Sequence, residues 1–264
     1  MALWDHLKEL KNRLIKAGIG IILGAVAGWF LYDPVVNSLS DPLIRIAAES
    51  HRTAVLNFAS VASPFDFKIR IAIQIGLVIS SPIWIYQIWG FITPGLTKKE
   101  RGYSLGFMAA AVPLFLTGVF VAWTVIPTVV RALLQFTPQN GANNVDASEY
   151  LTFATHMLLF LGIAFLVPVV LVGVNMAGIV SGRTILKSWR ITVFLVFVLA
   201  AVAAPGADAL SMFMLAGPLL ILFFAAIGLC IINDKRRAAR VAKAQQESDA
   251  TADIATPLQD LENL

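Results

Sequence analysis

Glu100 is a lone carboxylate fenced by Lys98, Lys99 and Arg101, in a stretch (91–101, FITPGLTKKER) where Pro94-Gly95 breaks off one apolar run before the next begins. A loop that needs only positive charge gains nothing from an acid. Glu100 is therefore either placed to receive a cation from outside the chain or is a solvated acid paired with its basic neighbours. Glu9 is a second acid among bases, in the segment 6–14 (HLKELKNRL). Two carboxylates on one membrane face would each accept a guanidinium, and an arginine fork on a carboxylate is selective over lysine. Asp208 lies in a short break, 204–208 (APGAD), between two apolar runs. It is either a charge held near headgroup depth, where charge is costly and usually functional, or the N-cap of the run beginning at Ala209.

No catalytic constellation joins these acids. His6, His51 and His156 fall in different segments without metal-ligand spacing, and no G-x-S-x-G, H-E-x-x-H or phosphate-binding glycine loop occurs. The chain is thus expected to have no catalytic turnover, no metal and no cofactor.

The elements that must position the acids are membrane helices. The chain is 264 residues long, 58% apolar and only 14% charged, with a mean hydropathy of +0.78. The apolar residues come in blocks long enough to cross a hydrocarbon layer, which takes about 20 residues each. The net charge of +4 does not point to nucleic acid, because the bases sit between the blocks without interleaved aromatics. Met1 to Lys16 carries Asp5 and Glu9 and leads into a long apolar run, so an uncleaved first span is expected rather than a signal peptide. Cys230 has no partner for an internal disulfide.

The expected spans are 15–31, 67–91, 103–136, 150–177, 190–204 and 209–232, with 233–264 a disordered tail. Leu3, Leu7, Leu10 and Leu14 recur at helical spacing and form an interfacial helix leading into the first span. Gly20, Gly24 and Gly28 make a ridge for close helix contact. Asp33-Pro34 is expected to end that span, with short helices, including one over 55–62, forming a cap before the second. Pro82 should kink span two, with Trp84, Tyr86 and Trp89 as an interfacial belt at its end. Only about 14 residues precede the 204–208 break, roughly 21 Å of helix, so the last two helices should form a short hairpin. Fifteen bases fall on alternate segments, against five on the others, which puts both termini in the cytoplasm and Glu9 and Glu100 on one face.

The opening HLKELKNRL resembles the H-L-x-E-L-R-x-R-L start of the TatC family, the core subunit of the twin-arginine protein translocase. The resemblance continues through Ser63-Pro64-Phe65, through the block from Pro82 to Arg101 that contains YQIWGFITPGLTKKER, then Phe165-Leu166-Val167-Pro168, and Pro205-Gly-Ala-Asp208 with Pro218. It implies an all-α polytopic membrane protein of the cell membrane, with six transmembrane helices in a concave bundle. It further implies a receptor for twin-arginine signal peptides, working with the single-span TatA and TatB subunits and with further copies of itself. The family moves folded proteins with the proton motive force. On this resemblance Glu9 and Glu100 form the arginine site, with Phe91 and Lys11 beside them, while Pro42 and Asp208 match positions needed for translocation. Lys11 and Gly102 stand where arginine or another base is usual. Leu166 stands where many relatives carry a glutamate that faces partner helices. Thr155, His156 or Asn175 would replace that contact, or each is a locally bonded helix residue. The competing function is a proton-coupled secondary transporter, which would call for paired acids at mid-depth and a repeat between halves.

Overall fold

The computed structural model describes residues 3–49, 54–57, 63–92, 98–134, 143–176, 178–203 and 209–252. The architecture is helical: α1 (Leu3–Glu49), α2 (Ser63–Ile79), α3 (Ser81–Ile92), α4 (Lys98–Leu134), α5 (Ala147–Ala164), α6 (Leu166–Met176), α7 (Gly182–Lys187), α8 (Trp189–Ala203) and α9 (Ala209–Ala252). Two four-residue strands, β1 (Ala54–Asn57) and β2 (Asn143–Asp146), pair in parallel and tie the segment after α1 to the one after α4. Among the described residues four helices are long and apolar enough to cross a membrane, or five if the bent pair α2–α3 is one span. α8 is a shorter apolar helix.

Several expectations need correction. α1 does not stop at Asp33-Pro34 but runs through Pro34 and Pro42 to Glu49. An internal proline costs about 3 kcal/mol through its missing N–H. Burial of Leu39, Leu43 and Ile46 in the main core offsets that, at about 1.5–3 kcal/mol for each side chain. The segment 55–62 is not a helix where it is described, since its first residues belong to β1. The tail is not disordered from 233 onward, because α9 continues to Ala252. Its polar half is rich in alanine, lysine, arginine and glutamine, which are strong helix formers.

The small-residue ridge of α1 is a packing seam. A Cβ on Gly24 would strike the Gly76 backbone, and one on Gly28 the Ala72 carbonyl. The two backbones approach that closely because α1 has no side chain at either contact and α2 presents only Gly76 and the small Ala72 there.

Span two bends by 62° between α2 and α3. Pro82 has no N–H to continue the ladder, and at the bend the buried hydroxyls of Ser80 and Ser81 have no hydrogen-bond partner among the described residues. Trp84 is not a belt residue, as the sequence suggested, but is buried. Its indole N–H donates to the Leu77 carbonyl at the break (2.9 Å), and its ring meets Phe115 edge-on at 5.4 Å. Tyr86 is exposed, in keeping with an interfacial position.

Candidate functional site

α1 brings Glu9 to one end of the bundle, where α3 ends at Ile92. Beneath them lies a core cluster of Ala17, Trp84, Ile85, Ala111, Phe115 and Val169, which fixes α1, α3, α4 and α6 together. Ala17 is one turn from Arg13, and Arg13 one turn from Glu9, so a single face of α1 carries core contact, base and acid in order. Leu7, Leu10 and Leu14 on the remaining surface stay exposed, as an interfacial segment requires.

The Glu9 carboxylate is held from one side. Arg13 donates to Oε1 through both Nε (2.9 Å) and Nη2 (2.7 Å), while Oε2 accepts no hydrogen bond among the described residues. Both side chains are only 26% exposed. The Arg13 guanidinium lies against the Gly90 backbone, where any Cβ would overlap it. Gly90 thus makes room for the base that orients the acid. The neighbouring Phe91 is half-buried, and the His6 ring stacks on it at 4.4 Å with 22° between the planes. The result is a carboxylate with one acceptor oxygen unused among the described residues, bordered by a base and two stacked rings. It suits a guanidinium, which needs a planar acceptor and tolerates an aromatic face.

The remaining expected residues are distributed as follows. Glu100 belongs to the first turn of α4; its side chain lies outside the described residues. Lys11 is exposed and, two residues on from Glu9, projects from another face of α1. Pro42 sits at the opposite end of α1, lining a cavity of about 340 Å³ with Asp41, Arg45 and Arg131. Asp208 lies outside the described residues. Leu166 is half-buried and packs against the core cluster beneath the site, so an apolar filler occupies that position.

Of the three polar residues weighed beside Leu166, Thr155 is locally bonded, donating to the Leu151 carbonyl at 2.8 Å. His156 is exposed. Asn175 is not local. It donates to the Val180 carbonyl (3.0 Å) and to Asp234 Oδ1 (2.8 Å), and accepts from Asn233 (3.1 Å). Asp234 Oδ2 in turn accepts from the Gly182 N–H (2.6 Å). This clasp fastens the end of α6 and the start of α7 onto α9. The sequence reading missed it because its partners are more than 50 residues apart. It also missed His6, Arg13 and Gly90 as parts of the site. Arg13 was the detectable one, standing four residues from Glu9 on the same helical face.

The helices and the boundary acid define a multi-pass α-helical membrane protein with a charged site at one end of its bundle. Residues 5–218 match the family model for the Sec-independent protein translocase protein TatC. The chain belongs to that family and is a translocase subunit serving protein transport. It is 49% identical over 263 residues to the TatC of Rothia mucilaginosa, covering 99% of this chain and 90% of that protein. It is 43% identical to the TatC of Xylanimonas cellulosilytica, covering 92% and 88%. The crystal structure of a twin-arginine translocase receptor, TatC, in the detergent DDM superposes with a TM-score of 0.75 at 27% identity, over 85% of this chain and 99% of the other.

Proposed function

We propose that this chain is the signal-peptide receptor of Sec-independent export, and that Glu9 together with Glu100 binds the paired arginines of the signal peptide. The observation that carries this reading is the Glu9 carboxylate near the Phe91–His6 stack, with Oε1 held by Arg13 and Oε2 accepting no hydrogen bond among the described residues. Arg13 holds only Oε1, so an incoming arginine can engage Oε2 without displacing it. A fork on a carboxylate prefers arginine to lysine, which matches a signal defined by arginines. Lys11 adds charge at the rim rather than a direct ligand.

Both termini face the cytoplasm of the cell membrane in this reading, so that the site meets precursors before transport. TatA and TatB subunits and further copies of this chain complete the complex, and the proton motive force drives movement of folded cargo. Pro42 and Asp208 act in translocation rather than in recognition. Leu166, packed in part on the core cluster, meets partner helices only through its remaining apolar surface, in place of the polar contact of relatives.

The test is photocrosslinking of a twin-arginine precursor to the membrane-inserted chain. Glu9→Gln combined with Glu100→Gln should abolish the crosslink while insertion is retained, and a precursor with paired lysines should crosslink weakly to the unaltered chain. An undiminished crosslink in the double variant overturns the site assignment.

A further inference from the structure

A groove of about 480 Å³ opens between α4, α6 and α9, and its lining is almost wholly apolar. Gly106 and Ala110 form one wall, Val172 and Met176 the second, and Ala226 and Leu229 the third. Each wall extends roughly two turns, about 12 Å of helix, which is less than half of the ~30 Å hydrocarbon thickness. A crossing helix of a partner would need a groove running the full depth. A chain confined to one leaflet does not.

The groove lies at the end of the bundle that carries Glu9. Met176 is the last residue of α6, and Gly178, two residues on, has φ +76° and turns the chain towards α9. There the Arg237 guanidinium rests on the Gly178 backbone, filling the space a Cβ would need. Arg237 is two turns beyond Leu229 on α9, and it has no carboxylate partner among the described residues. The nearby acid, Asp234, is already committed to Asn175 and the Gly182 N–H. Lys235, Arg236 and Arg240 flank it. Beyond the basic-side end of this apolar slot, past Met176 and Leu229, the Arg237 guanidinium therefore rests on Gly178 within a basic run, with no carboxylate partner among the described residues.

We infer that this groove binds one anionic phospholipid of the leaflet next to the basic segments, with an acyl chain between α4, α6 and α9 and its phosphate on Arg237. Apolar burial retains the tail, and the cationic mouth selects the headgroup charge. The inference is independent of the arginine-site reading, since it concerns the isolated chain without any signal peptide.

Native mass spectrometry of the full-length chain, released from nanodiscs of mixed dioleoylphosphatidylglycerol and dioleoylphosphatidylcholine, tests it. The unaltered chain should retain the glycerol lipid about fivefold over the choline lipid. Arg237→Ala should remove that preference while still retaining lipid. Gly106→Leu, at a position where an added Cβ meets only open space, should fill the slot and lose both lipids with an unchanged melting temperature. Equal retention of the two lipids by the unaltered chain, an intact preference in Arg237→Ala, or full lipid retention in Gly106→Leu would each overturn the proposal. So would a photocrosslinker at position 106 that captures a partner helix instead of lipid. Precursor crosslinking to the same variants reports separately on Glu9 and Glu100.

Discussion

α1 carries the same local device at both ends, an acid and an arginine four residues apart, yet the two pairs differ in everything except spacing. Asp41–Arg45 (2.9 Å) has side chains 58% and 75% exposed, against 26% for each partner of Glu9–Arg13. The backbone of α1 beside Asp41 is locked into the core, with the buried Tyr150 hydroxyl donating to the Leu39 carbonyl at 2.7 Å. Near Glu9 the order is reversed. The helix surface is open, with Leu7 and Leu14 exposed, but the charges are held, with Arg13 pressed on Gly90. One end is a closed core wearing a solvated ion pair, and the other an ordered ion pair on an open surface. Only the second offers a ligand a positioned acceptor.

The seam on which both ends depend gives the largest test. Gly76→Leu would drive a side chain into the α1 backbone at Gly24 and Ala25, costing about 3 kcal/mol or preventing folding; thermal unfolding in detergent would register it. At the closed end, Tyr150→Phe removes the hydrogen bond from the buried hydroxyl to the Leu39 carbonyl and should destabilise by about 1 kcal/mol. A melting temperature unchanged by this substitution would break the contrast between the two ends. At the open end, Glu9→Gln should leave the melting temperature nearly unchanged while reducing precursor crosslinking about tenfold, or roughly 1.4 kcal/mol. Gly90→Val displaces only the flexible tip of Arg13, so a loss of about 1 kcal/mol or less is expected in the same unfolding assay. The smallest effect belongs to Asp41→Asn, below about 0.5 kcal/mol and with no change in crosslinking. Equal crosslinking losses in Glu9→Gln and Asp41→Asn would show that the two pairs are not distinguished by their surroundings.

Much of this arrangement was legible in the residues. The Gly20-Gly24-Gly28 ridge announced a close helix seam, because small residues at that spacing have little other use in lipid. Pro82 announced the bend, since a missing N–H has a fixed consequence. The prolines of α1 misled for a related reason. Their local cost is visible in sequence, whereas the burial of Leu39, Leu43 and Ile46 that outweighs it depends on α2, α4 and α5 being present. Trp84 was misplaced in the same way, because an aromatic near a helix end satisfies a membrane interface and a core equally well until its neighbours are known.

For the site, the amino-acid types alone determined that Glu9 is an acid among bases on a helix entering the membrane, with a base one turn away. That follows from composition and the 3.6-residue period. Only the tertiary structure decided that Arg13 takes one carboxylate oxygen and leaves the other, because that outcome depends on the bare backbone of Gly90 arriving from α3. It likewise decided that Asn175 bridges to Asp234, and that the Arg237 guanidinium rests on Gly178, two residues past the end of an apolar slot at Met176. Spacing along a chain sets which residues share a face. Which groups saturate one another, and which keep a free valence for a ligand, is set by helices that meet from distant parts of the sequence.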